Sequence, residues 1–149
     1  MPIQAMQMYF AYAREQLELA GGRNVVVAEA LYCMGKLHSV NAKHQPSPGG
    51  LDVAKAIVFH QAALSSDQNN YRSANELGVL MARTGQLDQA KDLLKQSLVI
   101  KPAPQVWENL AKVHSRKAMG TGSDSTMESD LAQRAKSESN RLMQTRVAS

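Results

Sequence analysis

The stretch from Tyr71 to Pro104, YRSANELGVLMARTGQLDQAKDLLKQSLVIKPAP, constrains this chain more than any other. Ala74, Leu77, Gly78, Met81 and Ala82 recur three and four positions apart, the period that lays one apolar face along an α-helix. Thr84-Gly85-Gln86 interrupts, and Gly85 suits the left-handed backbone on which helices commonly end. The period resumes with Leu87, Ala90, Leu94, Ser97 and Leu98. Asp88 falls in the first turn, where the helix dipole favours an acid, and Lys101 lies past the end. Pro102 cannot continue a helix, so the segment stops there. The pattern predicts two short antiparallel helices. Gly78, Ala82 and Ala90 let their axes approach closely, so a bulky side chain at Gly78 is expected to cost about 1–3 kcal/mol through overpacking.

The same unit recurs on both sides. Residues 3–20 read as a leading helix with Met6, Tyr9, Phe10, Ala13, Leu17 and Ala20 as its apolar stripe, ended by Gly21-Gly22. It looks like the second helix of a hairpin whose first is missing, either at a boundary inside a longer array or as a cap on the first full hairpin. Residues 25–40 form the next helix, and Gly35 aligns with Gly78. NAKHQPSPGG (41–50), with two prolines and two glycines, is expected to be loop, and Leu51–Ser65 the second helix. After Pro104, VWENLAKVHSRKAM (106–119) opens a third unit. A flexible stretch at 120–129 and a last helix with Leu131, Ala135, Leu142 and Met143 on one face complete it, and 145–149 are expected to fray.

In order, Leu77-Gly78, Met81, Ala90, Leu94 and Pro102 resemble the tetratricopeptide repeat, a pattern of about 34 residues written W-x2-L-G-x2-Y, A-x3-F, P. Met81 and Leu94 stand for Tyr and Phe, and Ala74 for Trp. Leu31, Met34, Gly35 and His38 repeat the opening earlier, and Trp107-x2-Leu110-Ala111-x2-His114 repeats it later with the Trp present. The resemblance implies an all-α fold, an α-solenoid of antiparallel hairpins with about three repeats and seven helices. The repeats fall near 25–70, 71–104 and 105–143, behind the leading helix, in one domain over 1–149. Trp107 is expected to anchor the last interface from full burial, so that Trp107→Ala costs about 3–5 kcal/mol.

Composition agrees with helices. Apolar residues make up 44% of the 149, enough for a core, while aromatics reach only 5% and no valine run alternates like a strand. The net charge of +4, from 17 basic against 13 acidic residues, is mild and interspersed, so it demands neither nucleic acid nor an anionic membrane. The single cysteine, Cys33, rules out an internal disulfide. No secretory signal and no membrane-spanning apolar run are found. For a complete chain that points to the cytoplasm, and for a piece of a larger protein it points nowhere.

Chemistry-bearing constellations are sparse. His38 and His114 occupy the Tyr place in two repeats and read as packed, hydrogen-bonded core histidines. His44 falls in the 41–50 loop and His60 on a helix, and no spacing gathers metal ligands. Cys33 reads as a buried, inert thiol, and the eight methionines mainly as core packing. Gly120-Thr121-Gly122-Ser123 lacks the Lys-Ser/Thr ending and preceding strand of a phosphate loop. No catalytic residue, cofactor or metal is expected, and the chain is read as a non-enzyme.

What remains is a surface. In arrays of the resembled family the first helices line a concave groove for a peptide or helix. By alignment, the groove here presents Tyr32 and Lys36, then Arg72, Asn75, Val79 and Arg83, then Glu108, Lys112 and Arg116, with Glu29, Ser39 and Gln105 beside them. The excess of Arg and Lys favours a protein or peptide partner of acidic character. Self-association through Tyr9-Phe10 or Leu142-Met143 is the alternative, and nucleic acid a weaker one, since no basic stripe or exposed aromatic row supports it. The places that clamp a C-terminal carboxylate in chaperone-binding members hold Tyr32, Lys36, Glu76, Gln105 and Asn109 here. Glu76 would repel a carboxylate, so the resemblance does not extend to that clamp.

Overall fold

Helix ends in this chain are set by a few polar and glycine residues. The Asn24 side chain accepts hydrogen bonds from the backbone N–H groups of Val26 (2.9 Å) and Val27 (3.3 Å), satisfying donors that a helix start leaves open. Asn70 caps the next pair in the same way, accepting from Ser73 N–H at 2.9 Å. Gly85, with φ +85°, lets Gln86 N–H reach Met81 O (2.9 Å) and Gly85 N–H reach Ala82 O (3.2 Å), the paired bonds that close a helix C-terminus. Pro104 opens a helix at its first position, where a missing N–H costs nothing.

The computed structural model describes residues 3–44, 50–120 and 125–147. Among them are seven α-helices and no strand: α1 (Ile3–Gly21), α2 (Val25–His44), α3 (Leu51–Ser66), α4 (Tyr71–Arg83), α5 (Leu87–Ile100), α6 (Pro104–Gly120) and α7 (Ser125–Val147). The class is all-α, with helices packed on their sequence neighbours as in an α-solenoid. The chain divides into two compact units, Met1–Leu77 and Gly78–Ser149, with the boundary inside α4.

In the first unit α2 and α3 form an antiparallel hairpin around Leu31, Ala62 and Ala63, with Leu17, Val27 and Phe59 packed against them. α1 runs in the same direction as α3. Met6 and Phe10 lie near Ala54 and Ile57 at its start, and Ser65 Oγ donates to Glu18 Oε1 (2.9 Å) near its end. α1 and α3 therefore lie side by side. At Gly35 α2 approaches α3 closely, for a Cβ placed there would sit 2.7 Å from the His60 ring.

In the second unit the end of α4 packs on α5 through Gly78, where a Cβ would meet Leu94 Cγ at 2.8 Å and the Ala90 carbonyl at 3.2 Å. The expected stripes of α4 and α5 are buried except for the half-buried Leu87, with Leu80 in addition. α6 and α7 pair along their length. Their contacts run from the His114–Glu128 pair at one end to Ser139 Oγ donating to Pro104 O (2.9 Å) at the other.

Several sequence expectations need correction. α2 continues through His44, so Asn41–His44 are helix, while 45–49 lie outside the described residues. Lys43 and His44 in the last turn complement the helix dipole there, which explains the extension. α7 begins at Ser125 rather than after 129, because Glu128 in its first turn is held by His114. It runs to Val147, into the stretch expected to fray. Its buried face is Glu128, Ala132, Ala135 and Ser139, with Leu142 half-buried and Met143 exposed. Tyr9 and Ala20 of α1 are exposed as well. Cys33 is exposed rather than buried. Met8, Met34, Met119, Met127 and Met143 are also exposed, and Met81 alone of the described methionines is buried. Small residues explain these shifts: Ala and Gly fill the helix contacts so closely that long side chains on the flanking positions are pushed outward.

Candidate functional site: the first-helix faces

In the first unit the two basic residues expected at the site are each paired with an acid. Lys36 Nζ lies 2.6 Å from Glu76 Oε1, and Arg72 Nη1 lies 3.4 Å from Glu29 Oε2. The Arg72 guanidinium also stands over the Tyr32 ring at 5.9 Å from its centroid. Burial, then the Glu76 carboxylate, push the Tyr32 phenol above its ordinary pKa, so it stays a neutral hydroxyl. Tyr32, Lys36 and Arg72 are thus brought together by the structure, but as a closed set of pairs in which each positive charge faces an acid. Asn75 lies on the same helix as Arg72 and is half-buried.

The second unit differs. Val79, Ala82 and Arg83 at the end of α4, Leu94 below them, and Glu108, Asn109, Lys112, Val113 and Arg116 along α6 line a cavity of about 520 Å³, with Lys136 of α7 at its edge. All five predicted site residues of this unit, Val79, Arg83, Glu108, Lys112 and Arg116, meet there. Positions four apart on α4 and on α6 face the same opening. Arg116 Nη1 donates to Ala82 O at 2.8 Å, which fixes its guanidinium at the rim and satisfies a carbonyl of the last α4 turn. Lys112 Nζ pairs with Glu108 Oε1 one turn away at 2.8 Å. Arg83 and Lys136 are exposed and pair with no described residue. Four cations therefore stand against one carboxylate, over a floor of Val79, Leu94 and Val113.

Two features escaped the sequence reading. One is a larger cavity of about 1000 Å³ between α5 and α7, with Trp107, Leu110 and His114 of α6 in its lining. Trp107 is consequently only half-buried, and the expectation of full burial is corrected. Its truncation should cost about 2 kcal/mol rather than the 3–5 of a sealed core position. The other is a device repeated fourteen residues apart in each unit. His38 Nδ1 pairs with Asp52 Oδ1 (2.9 Å), and His114 Nδ1 pairs with Glu128, each acid standing in the first turn of the following helix. The spacing was visible, but nothing in the sequence says how long the intervening turn is. His44, placed in a loop by sequence, ends α2. Among the described residues no group of three His, Cys, Asp or Glu could hold a metal. The phosphate-loop-like stretch at 121–123 lies outside the described residues, and among those described no helix is long and apolar enough to cross a membrane.

No family model matches the chain. It is similar to the Arabidopsis thaliana protein named "Protein CTR9 homolog", 32% identical over 80 residues. That alignment covers 50% of this chain and 7% of that protein, so the chain corresponds to a small part of its relative.

Proposed function

We propose that the chain is a non-enzymatic helical-repeat scaffold of the tetratricopeptide type, one domain over 1–149, that binds a segment of a partner protein. The observation that carries this reading is the 520 Å³ opening of the second unit. It is lined by outward positions of two first helices and is large enough for one or two side chains of a peptide. The partial similarity to the CTR9 homologue is compatible with an interaction role. A photo-crosslinking residue at position 112, compared with one at the exposed Met119, tests it in an extract of the source cells. Protein adducts formed from position 112 and absent from 119 are expected. Equal adducts from both, or none from either, would contradict the reading.

A second reading, self-association, has one observation in its favour. α1 exposes Met8, Tyr9, Tyr12 and Leu19, at 61–73% of their surface. Here the exposed face, rather than the half-buried Phe10, would carry the contact. A concentration-dependent dimer in sedimentation that Tyr12→Glu abolishes would favour it over the scaffold.

A further inference from the structure

We infer that the second unit's cavity selects acidic peptide segments, seating a carboxylate side chain against Arg83 and Lys136 with an apolar neighbour over Val79. This rests on the scaffold reading and adds the chemistry of the partner.

The charge pattern carries it. Four cationic side chains line the cavity against Glu108 alone, and two of them, Arg83 and Lys136, have no acid of their own among the described residues. Bringing like charges around one opening is unfavourable unless something of opposite sign enters it. The remaining cations are placed to help. Arg116 is anchored by one hydrogen bond to Ala82 O, and a guanidinium carries five N–H donors, so its fork is oriented without being consumed. Lys112 is held by an exposed one-turn pair with Glu108, an interaction weak enough for a partner carboxylate to displace. Charge-assisted hydrogen bonds to carboxylates are about twice as strong as neutral ones. The floor is different in kind: the accessible apolar surface is that of the half-buried Val79, with Ala82 beside it and Leu94 and Val113 sealed beneath. An occupant must therefore offer both an acid and a hydrocarbon. An acidic peptide with interspersed Leu, Ile or Phe does so. A nucleic-acid backbone offers the charge, but here it would find an apolar floor and no exposed aromatic ring lining the opening for base stacking.

The test is selection of a random-peptide phage library on three proteins: the parent, Arg83→Glu/Lys136→Glu, and the charge-matched control Lys95→Glu/Arg134→Glu. The control changes exposed residues on the other cavity of the same unit. All three are first matched for helicity and melting temperature. The expected result is that parent and control enrich peptides with Asp or Glu next to a large apolar residue. The Arg83/Lys136 variant should bind those peptides at least about tenfold more weakly. Enrichment of neutral or basic peptides would overturn the inference and leave the scaffold reading standing. Acidic peptides lost equally from the control would also overturn it, since net charge alone would then explain binding. No enrichment at all, with or without binding of a single-stranded RNA 20-mer by the parent, would remove both readings.

Discussion

The two units solve the same packing problem with different residues. Each brings its first and second helix together at a glycine, Gly35 in one and Gly78 in the other, and each glycine is pressed by one large side chain. In the second unit that side chain is Leu94, in the first it is His60, and both are fully buried. Leucine asks nothing more of its surroundings. His60 carries two ring nitrogens, and neither reaches a hydrogen-bond partner among the described residues. A buried polar group left so costs about 1–3 kcal/mol. Burial, assisted by the nearby Lys36 charge, pushes the His60 pKa down to about 4 from an ordinary 6.5. The units differ in the same sense at the surface. In the first, Lys36 and Arg72 each face an acid, while in the second Arg83 and Lys136 stand at the cavity without one among the described residues.

Exchanging the two residues breaks the comparison most severely. Leu94→His should destabilise by about 4 kcal/mol, combining lost apolar burial with an unpaired ring beside Gly78, measured by urea unfolding. The reverse exchange, His60→Leu, should stabilise by about 1–2 kcal/mol at pH 7, with Leu occupying the space that the second unit already shows to be compatible with glycine. A loss of stability in His60→Leu would mean that the ring has a role that packing does not supply.

Acidification separates the units next. Because the folded-state pKa of His60 lies below its unfolded value, the fold accepts only the neutral ring. Its contribution is therefore complete above pH 6.5 and is lost as pH falls towards 4, about 3 kcal/mol over that window. His60→Leu should remove that slope. The Glu128 carboxyl, held below its ordinary range mainly by its hydrogen bond to His114, loses its contribution in the same direction but at lower pH.

The histidine–acid pairs give the next contrast. Glu128→Ala leaves His114, 3% exposed, without its partner and should cost about 2 kcal/mol. Asp52→Ala uncovers the more accessible His38, which also stacks on Phe59 with ring centroids 5.6 Å apart, and should cost about 1 kcal/mol or less. Gly78→Ala should likewise destabilise by only about 1 kcal/mol, since helix propensity offsets part of the clash with Leu94.

Much of the fold was legible because helix period, Gly85 and Pro102 are local signals that act within one or two turns. Spacing alone puts Val79 with Arg83 on one face of α4, and Glu108, Lys112 and Arg116 on one face of α6, while bringing the two faces to one opening came only from the resemblance. What was hidden depends on partners distant in sequence. His60 looks like any helical histidine until Gly35, twenty-five positions earlier, is seen against it. Lys36 and Arg72 count as basic groove residues until Glu76 and Glu29 are found beside them. Trp107 matches its repeat position yet borders an opening, because burial there depends on how α5 and α7 separate. The long methionines and Cys33 misled for a related reason: hydrophobicity predicts burial only where no smaller residue already fills the contact.

The most direct measurement of the central contrast is a ¹⁵N heteronuclear NMR titration of the parent chain with a peptide of alternating Glu and Leu at millimolar excess. The account predicts that shifts concentrate at Val79, Arg83, Lys112, Val113 and Arg116 and weaken as salt rises. The amides around Lys36 and Arg72 should stay where they are. Shifts centred on Lys36 and Arg72, or no shifts in the second unit, would contradict it.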